Sequence, residues 1–319
     1  MDDSQAIAGL QRVATQVREN VQRVIVGKSA AIDLAVMALL SRGHVLLEDV
    51  PGIGKTTLAK ALAQSLGCTF SRIQFTPDLM PGDVLGINYF NQKSSEFEFR
   101  DGPIFSQIVL GDEINRATPR TQSALLEAMQ EAQATVDGVT RPLPSPFMVM
   151  ATQNPIEMEG TFPLPEAQLD RFMVKVVLGY PTPEEEADIF LRFERDSVLP
   201  GLAAVTSAEE LTQLQEVPPT VKVDEELRTY IVNLVTETRV HEGILLGASP
   251  RAGLALSKVA QARAAVDGRD YVSPDDVKAL AAPVLAHRII LSATTRLRGS
   301  TPEEVVADVL TRVPVPIER

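Results

Sequence analysis

Lys55 and Thr56 directly follow Gly54 in the stretch "EDVPGIGKTTLAK", residues 48–60. A lysine and a hydroxyl residue after a glycine, at the start of a helix-forming run, are the means of holding a polyphosphate. Glycines let backbone N–H groups approach phosphate oxygens with no Cβ in the way, and a helix N-terminus adds a favourable dipole. Gly52 and Gly54 would form that cradle, with Pro51, Ile53 and Thr57 completing the loop. Lys55 would bring a point charge to the β- and γ-phosphates, and the Thr56 hydroxyl would be a Mg2+ ligand. The usual pattern, G-x-x-x-x-G-K-[ST], has a glycine five positions before Gly54, where this chain has Asp49. Aspartate tolerates left-handed backbone better than most residues. Asp49 is therefore expected to stand in for a turn glycine, and whether its charge also lowers nucleotide affinity stays open.

A second group lies in "IVLGDEINRA", residues 108–117, where an apolar run ends in Asp112 and Glu113, with Asp112 57 residues beyond Lys55. Asp112 would hold Mg2+ through water, and Glu113 would orient and polarise an attacking water. Three more polar residues follow in order: Asn154 in "ATQNP", Arg171 in "LPEAQLDRF" and Arg251 in "GASPRAG". A strand-end amide can position water near a γ-phosphate. Taken singly, these residues also read as a turn amide and two solvated charges.

The elements that must position these groups follow from the apolar pattern. Short, almost uninterrupted apolar runs at 44–48, 70–75, 108–112, 147–153 and 173–180 alternate with helical stretches, among them 55–66 and 119–132. Such runs predict a parallel sheet covered on both faces, a three-layer α/β domain. Helical spacing also marks residues 5–24 and 29–41. Residues 87–99 and 134–141 interrupt the alternation and read as inserted hairpins, the second around Asp137-Gly138. After Pro181 the segments open with Ser or Thr, usually followed by Pro, and Thr182, Ser207 and Thr301 each have Glu three residues later. That is the reciprocal capping box, with proline at the first helical position. The expected division is an α/β core over residues 1–180 and an all-helical domain over 181–319.

Composition narrows the function classes. Of 319 residues, 45% are apolar and 23% charged, with a formal net charge of −12, so the chain is globular and acidic. An acidic chain is poorly suited to wrapping nucleic acid or lying on anionic membrane. Cys68 is the one cysteine, which excludes an internal disulfide, and His44, His241 and His287 are far apart in sequence. The start "MDDSQAIAGL" lacks the apolar core of a signal peptide, and no apolar run has the roughly 18–20 residues a membrane helix needs. The expected location is the cytoplasm.

The serial order of these motifs resembles that of the AAA+ ATPases. "DVPGIGKT" stands as Walker A, "IVLGDE" as Walker B, Asn154 as sensor 1, Arg171 as arginine finger and Arg251 as sensor 2. More narrowly, "TPDLMPGDVLG", "FRDGPIF", "DEINRATPRTQSALLEAMQE", "ATQNPIEMEGTFPLPEAQLDRF" and "GASPRA" resemble the MoxR family, over almost the whole chain. The resemblance implies an AAA+ αβα domain with a small helical lid and ATP and Mg2+ between them, Arg251 contacting the nucleotide from the lid. It implies that Val26 and Gly27 lie beside the adenine, that the two hairpins face the centre of a ring, and that the ring is a hexamer. Lys55, Glu113, Asn154, Arg171 and Arg251 would be its catalytic set. It further implies chaperone-like maturation of partner complexes, often with a von Willebrand factor A domain protein. A metal-chelatase motor subunit and a nucleic-acid-stimulated motor share related inserts. The acidic charge and the few basic residues of the hairpins, Lys93, Arg100 and Arg141, count against the latter.

Overall fold

The computed structural model describes residues 3–154, 160–194 and 201–316. Two helices, α1 (Asp3–Gln22) and α2 (Ser29–Leu40), precede the alternating part. That part runs β1 (Val45–Glu48), α3 (Lys55–Ser65), β2 (Phe70–Gln74), α4 (Pro81–Leu85), β3 (Gly86–Asn91), β4 (Glu96–Asp101), β5 (Ile108–Asp112), α5 (Pro119–Glu131), β6 (Gln133–Val136), β7 (Val139–Pro142), β8 (Met148–Gln153), α6 (Glu166–Leu169) and β9 (Val174–Val176). The chain continues with α7 (Pro183–Glu194), α8 (Ala208–Leu214), α9 (Glu225–Val240), β10 (Ile244–Leu246), α10 (Pro250–Val266), α11 (Pro274–Leu285), β11 (Ile290–Leu291), α12 (Ala293–Leu297) and α13 (Pro302–Arg312).

Five strands form one parallel sheet in the order β2-β5-β8-β1-β9. Successive side chains on a strand point to opposite faces, and here both faces are covered. Val45, Leu47, Ile108, Leu110, Met148 and Met150 pack with α1, α2 and α3. Leu46, Val109, Val149 and Ala151 pack on the other side with α4 and α5. That is why these strands read as apolar runs rather than as alternating ones. Gly111 belongs to the second face, where an added Cβ would lie 3.1 Å from the buried ring of Phe75. The glycine makes room for that ring.

Both inserts are antiparallel hairpins, β3–β4 and β6–β7. The second turns through Asp137 (φ 51°) and Gly138 (φ 78°), the left-handed pair that a two-residue turn requires. The capping boxes at Thr182/Glu185 and Thr301/Glu304 form in full. At Ser207 only half forms, because the Glu210 carboxylate accepts from Thr206 Oγ1 instead.

The last strand is shorter than the apolar run 173–180 predicts. β9 pairs with β1 only as far as Val176, opposite Leu47. The next N–H groups, of Leu178 and Gly179, donate to the Asp49 carboxylate. The helices from α8 onward continue the core on the α1–α2–α3 face, with α10 packed against both α1 and α2. A short ribbon, β10–β11, is the β structure of this part among the described residues.

Candidate functional site

The carboxyl ends of β1, β5 and β8 lie side by side, with Glu48 opposite Gln153 and Gly111 opposite Ala151. Parallel α/β sheets bind ligands beyond these ends. The loop after β1 leads through Gly52 (φ 86°) and Gly54 (φ 95°) into Lys55, the first residue of α3. Both glycines are left-handed, and a Cβ at either would meet nothing within 4 Å. Backbone conformation rather than packing demands glycine there, and the loop presents an open face.

A cavity of about 420 Å3 adjoins this loop, within the usual range for small-ligand sites. Pro51, Gly52, Ile53, Gly54 and Thr57 line it, with Lys55 and Thr56 beside them in the first turn of α3. Its far wall comes from Val26 and Lys28, from Leu178–Tyr180, and from Ile189 and Phe190 of α7. Gly27 sits between Val26 and Lys28 with φ 66°, and a Cβ there would collide with Glu185. This apolar wall suits a planar base, and the glycine loop suits its phosphates. Burial lowers the Lys55 ammonium below its ordinary value, while Asp49, Asp112 and Glu113 pull it back up.

The acidic pair is held by its neighbours. Thr152 Oγ1 on β8 donates to Asp112 Oδ1 (2.7 Å) and accepts from the Glu113 N–H (2.8 Å). Arg72 Nη2 donates to Asp112 Oδ2 (2.6 Å). Gln74 Nε2 donates to Glu113 Oε2 (2.9 Å), and Arg116 Nε lies 3.0 Å from the same oxygen. Glu113 itself is left-handed (φ 58°), which turns its side chain out of the strand direction. Arg72 and Gln74 escaped the sequence reading; their i, i+2 spacing on β2 beside the Asp112 strand was the available signal. Thr56 and Asp112 offer hard oxygen donors of the kind Mg2+ takes. Among the described residues there is no cluster of three or more metal-ligating side chains. A cation here would draw its other ligands from water and phosphate oxygens. Asn154 directly follows β8 and is buried, next to the start of the glycine loop. Residues 155–159 of the motif that continues from it lie outside the described residues.

Asp49 does not replace a turn glycine. Its φ is not positive, and its side chain is 9% exposed. Oδ2 accepts from the N–H groups of Leu178 and Gly179, both at 2.7 Å, and Oδ1 accepts from Val50 N–H at 2.9 Å.

The structure places Arg251 outside the lining of the loop cavity. None of the residues lining the loop cavity comes from α8 onward, and Arg251 lines a separate cavity of about 330 Å3 together with Arg171. Arg42, Lys258 and Arg288 add positive charge there, and Asp170 is the carboxylate in its wall. Asp170 organises this cleft. It accepts from Ser249 Oγ (2.8 Å), the N-cap of α10, and from Arg288 Nε (2.8 Å). The first turn of α10, carrying Arg251, is thereby fastened beside Arg171. The buried Nε of Arg171 has no hydrogen-bond partner among the described residues. The physical reason for the separation is the packing of α10 on α1 and α2, which carries the lid away from the glycine loop.

Comparison with known proteins agrees with this architecture. The model of the ATPase family associated with various cellular activities (AAA) matches residues 44–174, and an AAA lid domain model matches residues 236–309. YeaC of Bacillus subtilis is 50% identical over 301 residues, 94% of each chain. Chaperone MoxR1 of Mycobacterium tuberculosis is 45% identical over 306 residues, 93% of this chain and 80% of that one. A crystal structure of a candidate ATPase from Cytophaga hutchinsonii superposes with a TM-score of 0.92 at 38% identity, covering 98% of both chains. These matches run along nearly the full length, and the chain belongs to the MoxR family of AAA+ ATPases.

Proposed function

We propose that this ATPase is a Mg2+-dependent ATP phosphohydrolase that works as a head-to-tail ring, a hexamer, and remodels partner protein complexes in the cytoplasm. One observation carries the reading: Arg171 and Arg251 share a cleft separate from the cavity of the glycine loop. Two arginines so placed complete a site only when a second subunit brings its own glycine loop to them, and heterologous contacts of that kind close into rings.

Within one site Gly52 to Thr56 hold the triphosphate, and Lys55 places its charge on the β- and γ-phosphates. Bound Mg2+, held by Thr56 and through water by Asp112, would neutralise charge on the phosphate oxygens. Glu113 and Asn154 align the attacking water, with Glu113 taking its proton. Arg171 of the adjoining subunit stabilises the charge on the transferred phosphoryl group, and Arg251 holds the same group from the lid. Hydrolysis removes the contact both arginines make, which lets the subunit interface shift. The β3–β4 hairpin leaves Ile87, Phe90 and Phe97 in solvent, with Phe97 76% exposed. Such a patch suits grip on a protein client. A von Willebrand factor A domain protein is the proposed adaptor.

Mixing two inactive variants tests the reading. Arg171→Ala keeps the loop and the base, and Glu113→Gln keeps the arginines. Each alone is expected to bind ATP and hydrolyse almost none. Random pairing in mixed rings restores about a quarter of the sites. Phosphate release that stays at the level of the separate variants would rule out a site shared between subunits.

A further inference from the structure

We infer that Asp49, the residue in place of the first loop glycine, is a positioning residue that fixes the wall of the base pocket against the phosphate loop; this rests on the glycine-loop cavity being the ATP site. Beyond Val176 the sheet gives Leu178 and Gly179 no strand partner, since β9 leaves β1 at that point. Both N–H groups are instead gathered by one carboxylate oxygen, at 2.7 Å each, while the other oxygen takes the Val50 N–H at 2.9 Å. Three backbone donors on one carboxylate form a charge-assisted clamp. Its two ends are Asp49–Val50, directly before the cavity-lining Pro51, and the segment Leu178–Tyr180, which lines the same cavity. Lys28 Nζ donates to the Tyr180 carbonyl at 3.0 Å, so the wall is held from its other side too.

A glycine at position 49 would leave the Leu178 N–H buried and unpaired, and such groups are rarely left without a partner. The segment would then leave its register, and the base would lose its wall. The phosphate-binding groups, Gly52 to Thr56, lie beyond the clamp. Lys55 Nζ reaches the backbone carbonyl of Asp49 (2.6 Å), a contact that needs no side chain at that position. The clamp therefore acts on the base-side wall of the cavity rather than on the backbone that holds the phosphates.

The test is Asp49→Gly, the substitution that restores the common motif, with Asp49→Asn beside it. Steady-state ATP hydrolysis should show KM raised about tenfold for Asp49→Gly with kcat within about twofold of wild type. Inorganic tripolyphosphate, as a competitive inhibitor with no base, should keep its inhibition constant within about twofold. That second readout also reports a folded loop. Asn retains one carbonyl oxygen for Leu178 and Gly179, so its KM should fall between glycine and wild type. The inference is overturned by an unchanged or lower KM for Asp49→Gly, by parallel weakening of tripolyphosphate, or by an Asn variant no better than Gly. Lys55→Ala separates the two levels of argument. If it leaves both ATP and tripolyphosphate binding intact, the assignment of the cavity itself is wrong; if it abolishes both while Asp49→Gly has no effect, only the clamp fails.

Discussion

Replacing Asp170 with alanine should damage stability and turnover together, and the size of each effect can be worked from the contacts. Arg288 is 7% exposed, and Asp170 Oδ1 is its carboxylate partner at 2.8 Å. Removing one partner of a buried ion pair costs roughly 3–5 kcal/mol, because the remaining charge is stranded. Here the guanidinium also donates to the carbonyls of Phe172, Met173 and Val284, so it keeps hydrogen bonds and the cost sits near 3 kcal/mol. The lost bond from Ser249 Oγ adds about 1 kcal/mol. A total of about 4 kcal/mol corresponds to roughly 6 °C in melting temperature for a chain of this size.

Urea denaturation followed by circular dichroism measures the first effect, and ATP turnover measures the second. With α10 released from Asp170, Arg251 loses its fixed place beside Arg171, and kcat should fall about tenfold or more. KM should stay near wild type, because the glycine-loop cavity takes no lining residue from this cleft. Asp170→Asn keeps an acceptor and should lose less than half as much stability. A loss under 1 kcal/mol for Asp170→Ala, or a change confined to KM, would refute the reasoning from Asp170 as the organiser of the cleft.

Other perturbations follow from the packing and the buried histidines. Gly111→Val should destabilise the chain by about 1–3 kcal/mol, because the first added carbon already lies 3.1 Å from the Phe75 ring; a melt unchanged from wild type would mean the ring can move aside. His44 is buried, with Nε2 at the Met129 carbonyl and Nδ1 accepting from Val149 N–H, and burial lowers its pKa to about 4. Its folded pKa lies below the unfolded value, so the stability it contributes is complete above about pH 6.5 and is lost as pH falls toward 4. Between pH 7 and pH 5 this amounts to about 2 kcal/mol. His287 is shifted in the same direction by burial, so His44→Gln should flatten part of the acid slope in urea midpoints, and an unaltered slope would contradict the assignment.

Much of the sheet was legible because its signals are local. An uninterrupted apolar run of four to six residues marks a strand covered on both faces, and Asp137-Gly138 carries its turn geometry in two residues. The glycines of the loop were equally readable, since Gly52 and Gly54 are demanded by their own backbone angles. Two features were not legible, for one common reason. Asp49 looked like a missing glycine because its partners, Leu178 and Gly179, are about 130 residues away, and pattern reading compares a position with its motif rather than with its contacts. For Arg251 the place in the motif order is all that a sequence reports, and that order does not say which cavity the side chain lines. Which cavity it lines is set by the face on which α10 packs. Alanines of α10, with Leu256 and Val259, are buried in the core shared with α1 and α2, and an apolar helix face is equally consistent with either side of the sheet. The order of motifs along a chain therefore names the parts, while the packing of one lid helix sets which cavity each part lines.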